Sequence, residues 1–213
     1  MYILTNNKSF PPVETADENG FVAIGGDLSA ERLLEAYRQG IFPWYNEEDP
    51  ICWWSPDPRF VLFPDQLHVS RSMKHVINSN QFSFTTNNAF EQVINACSSV
   101  KRKDANGTWI NDEMIVAYTR LHKLGYALSA EAWYNDRLVG GLYGIKMGKL
   151  FFGESMFSIK SNASKFAFIK LVEQLQASGI KLVDCQMHTS HLESLGAVMI
   201  PREKFIGLLH EYI

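Results

Sequence analysis

Cysteine is scarce in this chain. The 213 residues hold three, Cys52, Cys97 and Cys185. They are far apart and odd in number, which excludes a disulfide framework and leaves free, buried thiols as the expectation. No run of about 18 apolar residues is present, so no membrane-spanning helix is expected. There is no basic excess either: 20 Lys and Arg stand against 23 Asp and Glu, a net charge of -3. Proteins that coat themselves with nucleic acid are usually basic, so any contact of that kind must be local here. The first eight residues have no basic stretch leading into an apolar one, so no signal peptide and a cytoplasmic location are expected. Aromatics, by contrast, are plentiful, with 5 Trp, 8 Tyr and 14 Phe, and 46% of residues are hydrophobic. That composition excludes long disorder and supplies a core for one large domain or two small ones.

Seven of the eight prolines (Pro11, Pro12, Pro43, Pro50, Pro56, Pro58 and Pro64) fall in the first 80 residues. This marks a small Pro/aromatic-rich N-terminal domain, 1–80, before a more regular domain, 81–213. The first segment reads as turns and short strands around one helix, 30–39, with Ser29 as N-cap and Gly40 past its end. Further on, the spacing predicts helices over 89–97, with Asn88 and Glu91 as a capping box, and over 112–124, opened by Asn111 or Asp112. Strands follow at 127–134, 138–146 and 150–157. A helix over 163–177 stops at Gly179, and a strand covers 181–186. A short helix at 191–195, a strand at 197–200 and a terminal helix from 202 complete the chain. The meander leading through a crossover helix to a parallel strand gives the fold class: α/β (α+β), with an acetyltransferase-like mixed sheet in the C-terminal domain. The ligand site of such a sheet lies where strands splay, near Glu154 and Asp184.

Strand alternation puts Asp184 and Gln186 on one face and Cys185 on the other, so an acid and an amide point together into a cleft. That pair suits handling a proton and steadying a polar substrate, although a solvated strand end has the same pattern. Glu154 lies in an apolar strand and is costly to bury without a partner, either a bound cation or a pair with Lys165 or Arg202. Loop tryptophans at 44, 53, 54 and 109 cap a core or stack on unpaired bases. Arg59, Arg71, Lys74 and the run 101–103 lie near them and favour single-stranded RNA. A metal reading from Asp184, Cys185, His188 and His191 is weak because the spacing is loose. No Gly-x-Ser-x-Gly elbow surrounds Ser155, and Cys185 faces away, so covalent catalysis is not expected.

Several longer words occur in order: Gly25-Gly26-Asp27-Leu28-Ser29, Gly40-Ile41-Phe42-Pro43-Trp44, Trp53-Trp54-Ser55-Pro56-Asp57-Pro58-Arg59, Gly107-Thr108-Trp109-Ile110, Phe152-Gly153-Glu154-Ser155-Met156-Phe157-Ser158, Asp184-Cys185-Gln186 and Ser194-Leu195-Gly196-Ala197. Over about residues 20–205 the chain resembles the bacterial leucyl/phenylalanyl-tRNA–protein transferases. The resemblance implies transfer of Leu or Phe, with Met as a further candidate, from aminoacyl-tRNA to the N-terminal Arg or Lys of acceptor proteins. The acceptors would thereby be marked for N-degron degradation. It implies Leu-tRNA and Phe-tRNA as partners, with no DNA, membrane, cofactor, ATP or metal. By resemblance Asp184 is the base or its electrostatic equivalent, Gln186 orients the amine or ester, and Glu154 holds the acceptor's cationic group, although the two acids could trade roles. Trp44 and Trp109 match positions that stack on the terminal adenosine, Tyr37 and Tyr118 match neighbouring contacts, and Phe151 matches a wall of the side-chain pocket. Arg71 and Lys74 are candidates for the tRNA backbone. His188 departs from the pattern, which expects a less basic residue. The rival is an acyl-CoA-dependent N-acyltransferase, but the turn over 157–162 lacks the glycines that cradle a pyrophosphate.

Overall fold

The computed structural model describes residues 2–5, 9–46, 48–100 and 110–213. Two mixed sheets organise them. The small one has strand order β1-β2-β4-β3, from β1 (Ile3–Leu4), β2 (Phe21–Gly25), β3 (Phe42–Pro43) and β4 (Cys52–Trp54), with α1 (Ala30–Arg38) between β2 and β3. The Ser29 hydroxyl accepts from Arg32 N, and Gly40 has φ +71°, so the start and stop of α1 are those read from its ends.

The large sheet has seven strands in the order β11-β5-β10-β9-β8-β7-β6. In chain order its elements are β5 (Arg59–Leu62), α2 (Arg71–Asn78), β6 (Ser83–Thr86), α3 (Phe90–Ser98), α4 (Asp112–Lys123), β7 (Ala127–Tyr134), β8 (Arg137–Met147), β9 (Leu150–Ser158), α5 (Ala163–Ala177), β10 (Leu182–Gln186), α6 (Ser190–Glu193), β11 (Val198–Ile200) and α7 (Arg202–Tyr212). The expected meander and crossover are present: β7, β8 and β9 pair antiparallel, and α5 carries the chain to β10, parallel to β9.

Three local readings change. The helix α2 was not expected. The N-cap of α3 is Ala89, with no side-chain cap, so Asn88 and Glu91 form no capping box. Most important, β5 comes from the proline-rich segment yet sits inside the large sheet, antiparallel to both β10 and β11. All four of its residues are buried, as a strand covered on both faces requires. The 1–80 segment is therefore not separate throughout, because its residues 59–62 complete the other sheet.

Each face of the large sheet has a core. Tyr143, Phe152 and Leu182 pack with α1, α3, α4 and α7, while Leu142, Phe151 and Val183 pack under α5. Nine of the 15 residues of α5 are buried, which suits a helix lying between the sheet and α2.

Candidate active site

The pairing of β9 with β10 ends at Phe152 opposite Asp184, although β9 runs on to Ser158. Beyond that point the strands part and a cleft of about 520 Å³ opens. Both strands are bulged there. Against β8, Tyr143 faces Ser155 and Gly144 faces Gly153, leaving Glu154 as the extra residue. Against β5, Asp184 faces Val61 and Gln186 faces Phe60, leaving Cys185 extra. Bulges re-aim side chains that strict alternation would send elsewhere. The first one needs Gly144: a Cβ there would stand 2.1 Å from the Phe152 carbonyl oxygen. At the second, Gln186 has φ +62°, a backbone strain that its two hydrogen bonds hold in place.

Glu154 is 8% exposed and lines the cleft. Its Oε1 accepts from the Tyr37 hydroxyl at 2.7 Å and from Gln186 Nε2 at 2.9 Å, and its Oε2 accepts from the Tyr118 hydroxyl at 3.0 Å. The two tyrosine oxygens are themselves 2.5 Å apart. Burial pushes the Glu154 carboxyl up to about 7; the three donors oppose that shift and the neighbouring Asp184 charge adds to it. Burial and Glu154 also hold both phenols well above their ordinary value, so they remain neutral donors.

Asp184 is fully buried. Arg59 Nε donates to Oδ1 at 2.9 Å and Nη2 to Oδ2 at 2.7 Å, a two-pronged ion pair, and the Gln186 amide donates to Oδ1 at 2.9 Å. The guanidinium lies 4.8 Å from the Phe42 ring centre and 4.6 Å from that of Phe205. Arg59 is thus an internal partner of the acid and not an outward contact for nucleic acid. Its place in the apolar run Arg59-Phe60-Val61-Leu62 was the available signal, since a cation inside such a strand requires an anion.

The expected site residues divide as follows. Glu154, Asp184, Gln186 and Trp44 line the cleft, with Trp44 38% exposed at its rim and edge-on to Trp54. Tyr37 and Tyr118 have no exposed surface; their hydroxyls lie on Glu154, so they back the acid and do not present a face to a base. Phe151 is fully buried in the core under α5, its ring over Gly144, and the cleft is walled on that side by Leu142, Met156, Phe168 and Val183. Glu154 pairs with neither Lys165 nor Arg202, which reach Ser194 Oγ and the Ser55 carbonyl. Cys185 lines the cleft instead of facing away, but burial pushes its thiol up, far from a nucleophilic thiolate. His191 also lines it, its imidazole held below the usual range by burial and by Lys165. His188 instead meets Glu193 at 3.2 Å. Arg71 and Lys74 are exposed on the first turn of α2. Trp109 and the basic run 101–103 lie outside the described residues. Among the described residues no group of three or more His, Cys, Asp and Glu is arranged to hold a metal, and no helix is long and apolar enough to cross a membrane.

The profile of the leucyl/phenylalanyl-tRNA protein transferases matches residues 61–210, and that of their N-terminal domain matches 26–57. The chain belongs to this family. A leucyl/phenylalanyl-tRNA–protein transferase of Flavobacterium johnsoniae is 56% identical over 98% of this chain and 99% of its own length. One of Christiangramia forsetii is 54% identical over 98% and 100%. Among solved structures, a GCN5-related N-acetyltransferase from Kribbella flavida aligns at TM-score 0.42 with 10% identity, over 79% of this chain and 59% of that one. Membership in the transferase family disfavours the acyl-CoA alternative.

Proposed function

We propose that the protein moves Leu or Phe, with Met as a further candidate donor, from the 3′ end of an aminoacyl-tRNA to the α-amine of a protein beginning with Arg or Lys. The observation that carries this reading is a family match over nearly the whole chain, with a cleft whose apolar wall and buried acids suit the two reactants. The donor is an activated ester and the acceptor amine has a pKa of about 7.7–8, so one modest base is enough. The donor side chain lies against Leu142, Met156, Phe168 and Val183. Such an apolar wall rejects polar side chains strongly and separates Leu from Phe or Met only weakly. Trp44 at the rim, together with Trp109, stacks on the terminal adenosine. The amine meets Glu154 and Gln186, which supply a carboxyl group and an orienting amide, while Asp184 lies buried behind them with Arg59. Arg71 and Lys74 on α2 touch the tRNA backbone; with so few cations, affinity falls only gently with salt. The setting is the cytoplasm, where the modified proteins enter N-degron degradation.

The test is transfer of labelled Leu from Leu-tRNA to a peptide beginning with Arg, with a Gly-initiated peptide and acetyl-CoA as controls. Transfer confined to the Arg peptide is the expected result. Acylation from acetyl-CoA without transfer from tRNA would overturn the reading.

A further inference from the structure

The contacts around Glu154 raise a question of proton count. Tyr37, Tyr118 and Glu154 form a closed ring of three oxygen–oxygen contacts, at 2.5, 2.7 and 3.0 Å. Each contact needs a proton owned by one of its ends. The two phenols own one apiece, which serves two contacts, and donors outside the ring cannot supply the third. If Glu154 is ionised, one contact sets two lone pairs against each other. If it carries a proton on Oε2, that proton goes to Tyr118, the Tyr118 proton to Tyr37, and the Tyr37 proton to Oε1, so every contact is filled. Oε1 then accepts from Tyr37 and Gln186, as the distances require.

Asp184 is in the opposite position. Three donors already serve its two oxygens, two of them from one guanidinium, and it has no exposed surface. A proton there would break a buried ion pair and leave Arg59 without its counter-charge. The charged and titratable groups facing the ring are therefore Tyr37 from α1, Tyr118 from α4, Tyr143 from β8 and Asp184 with its Arg59 from β10 and β5.

We propose that Glu154 takes the proton of the acceptor amine into the Tyr37–Tyr118–Glu154 ring, and that Arg59, by occupying Asp184, is the positioning residue that keeps the second acid out of that role. This rests on the transfer reading above and divides its roles. The ionised ring lacks one proton, and the acceptor's ammonium supplies it, leaving a neutral amine. The amine nitrogen attacks the ester carbon, a C–N bond forms and the C–O bond to the ribose 3′-oxygen breaks. The departing oxygen gains the proton that the nitrogen sheds, and Glu154 afterwards returns its own proton to water. Its ionisation near neutrality matches this exchange with an amine.

Infrared titration of the ligand-free protein reads the proton without any turnover. A carboxylic-acid C=O band should fade as pH rises through about 7. It should be missing from Glu154→Gln and kept in Asp184→Asn. Arg59→Met should add a second such band, which Arg59→Lys lacks and which disappears in the Arg59→Met/Asp184→Asn double variant. With saturating Arg peptide, Glu154→Gln should lower kcat about 100-fold or more and abolish the pH limb seen in the wild type, with KM for the peptide changed less than about threefold. A band that survives in Glu154→Gln and disappears in Asp184→Asn overturns the proposal. So does a Glu154→Gln defect confined to KM, which would make Glu154 only a holder of the acceptor's charge. If Arg59→Met does not fold, the wild type against Glu154→Gln still decides the proton's place. Failure of the wild type to transfer from Leu-tRNA defeats the functional reading separately, because the infrared result does not depend on it.

Discussion

Glu131 and Glu154 are buried carboxylates in the same sheet, 0% and 8% exposed, on β7 and β9. Around Glu131, Oε1 accepts from the Ser129 hydroxyl at 2.5 Å and the Ala89 amide at 3.4 Å, and Oε2 from the Thr85 hydroxyl at 2.6 Å. Thr85 accepts in turn from Trp133 Nε1 at 2.7 Å. Every one of these contacts has a donor proton of its own when Glu131 is an anion. The carboxylate also sits at the start of α3, which has no side-chain cap, and accepts from the amide of its N-cap residue, Ala89. Around Glu154 the anion leaves the ring one proton short, and a cleft lies alongside. Burial and donors alone thus make a carboxylate structural. In the proposal above, a proton deficit open to a substrate is what makes Glu154 reactive.

The largest effect expected concerns the third buried acid. Asp184→Ala should lower unfolding free energy by ~3–5 kcal/mol, since it strands Arg59 in the interior. A substitution there does not leave the fold untouched, so lost transfer in that variant is no clean test of catalysis. A loss under ~1 kcal/mol by denaturant unfolding would show that Arg59 finds another partner.

Next comes pH. The folded Glu154 carboxyl is raised from 4.5 to about 7, so its stabilising contribution is complete below 4.5 and lost as pH rises through 7. Relative to Glu154→Gln, the wild type should therefore lose on the order of 3 kcal/mol across that window. Parallel stability curves for the two proteins would break the comparison at its centre.

Glu131→Gln should cost ~1–3 kcal/mol of stability through a buried group left without its match, while kcat stays within about threefold of wild type. A collapse of kcat like that of Glu154→Gln would show that the two networks do not differ in kind. Trp44→Ala touches the cleft and neither network. It should weaken binding of the tRNA end by ~1–3 kcal/mol, measured as Kd for aminoacyl-tRNA, with a smaller change in stability.

Much of the local structure was legible. The start of α1 at Ser29, the start of α4 at Asn111, the end of α5 before Gly179 and the three-stranded meander are all written in adjacent residues. So is the gathering of Glu154, Asp184 and Gln186 near one opening, because all three follow from the meander and its crossover. What was missed lies at bulges or across long stretches of chain. Alternation sends Cys185 away from the cleft, and the bulge at that residue brings it back. Phe151 was expected in the pocket wall, but its ring is drawn into the core above Gly144.

Caps and hydrophobic period gave most of the elements, because those signals act within a few residues, and the family resemblance came from longer words of sequence in a fixed order. They also named both acids, but could not say which one carries a proton. That answer depends on Tyr37 reaching Glu154 across 117 residues, on Tyr37 meeting Tyr118 across 81, and on Arg59 meeting Asp184 across 125. Each of those partners is held in place by a helix or strand packed from elsewhere in the chain. A carboxylate's readiness to hold a proton is set by the donors and charges within a few ångströms of it, and here distant parts of the chain supply them only once both faces of the sheet are covered.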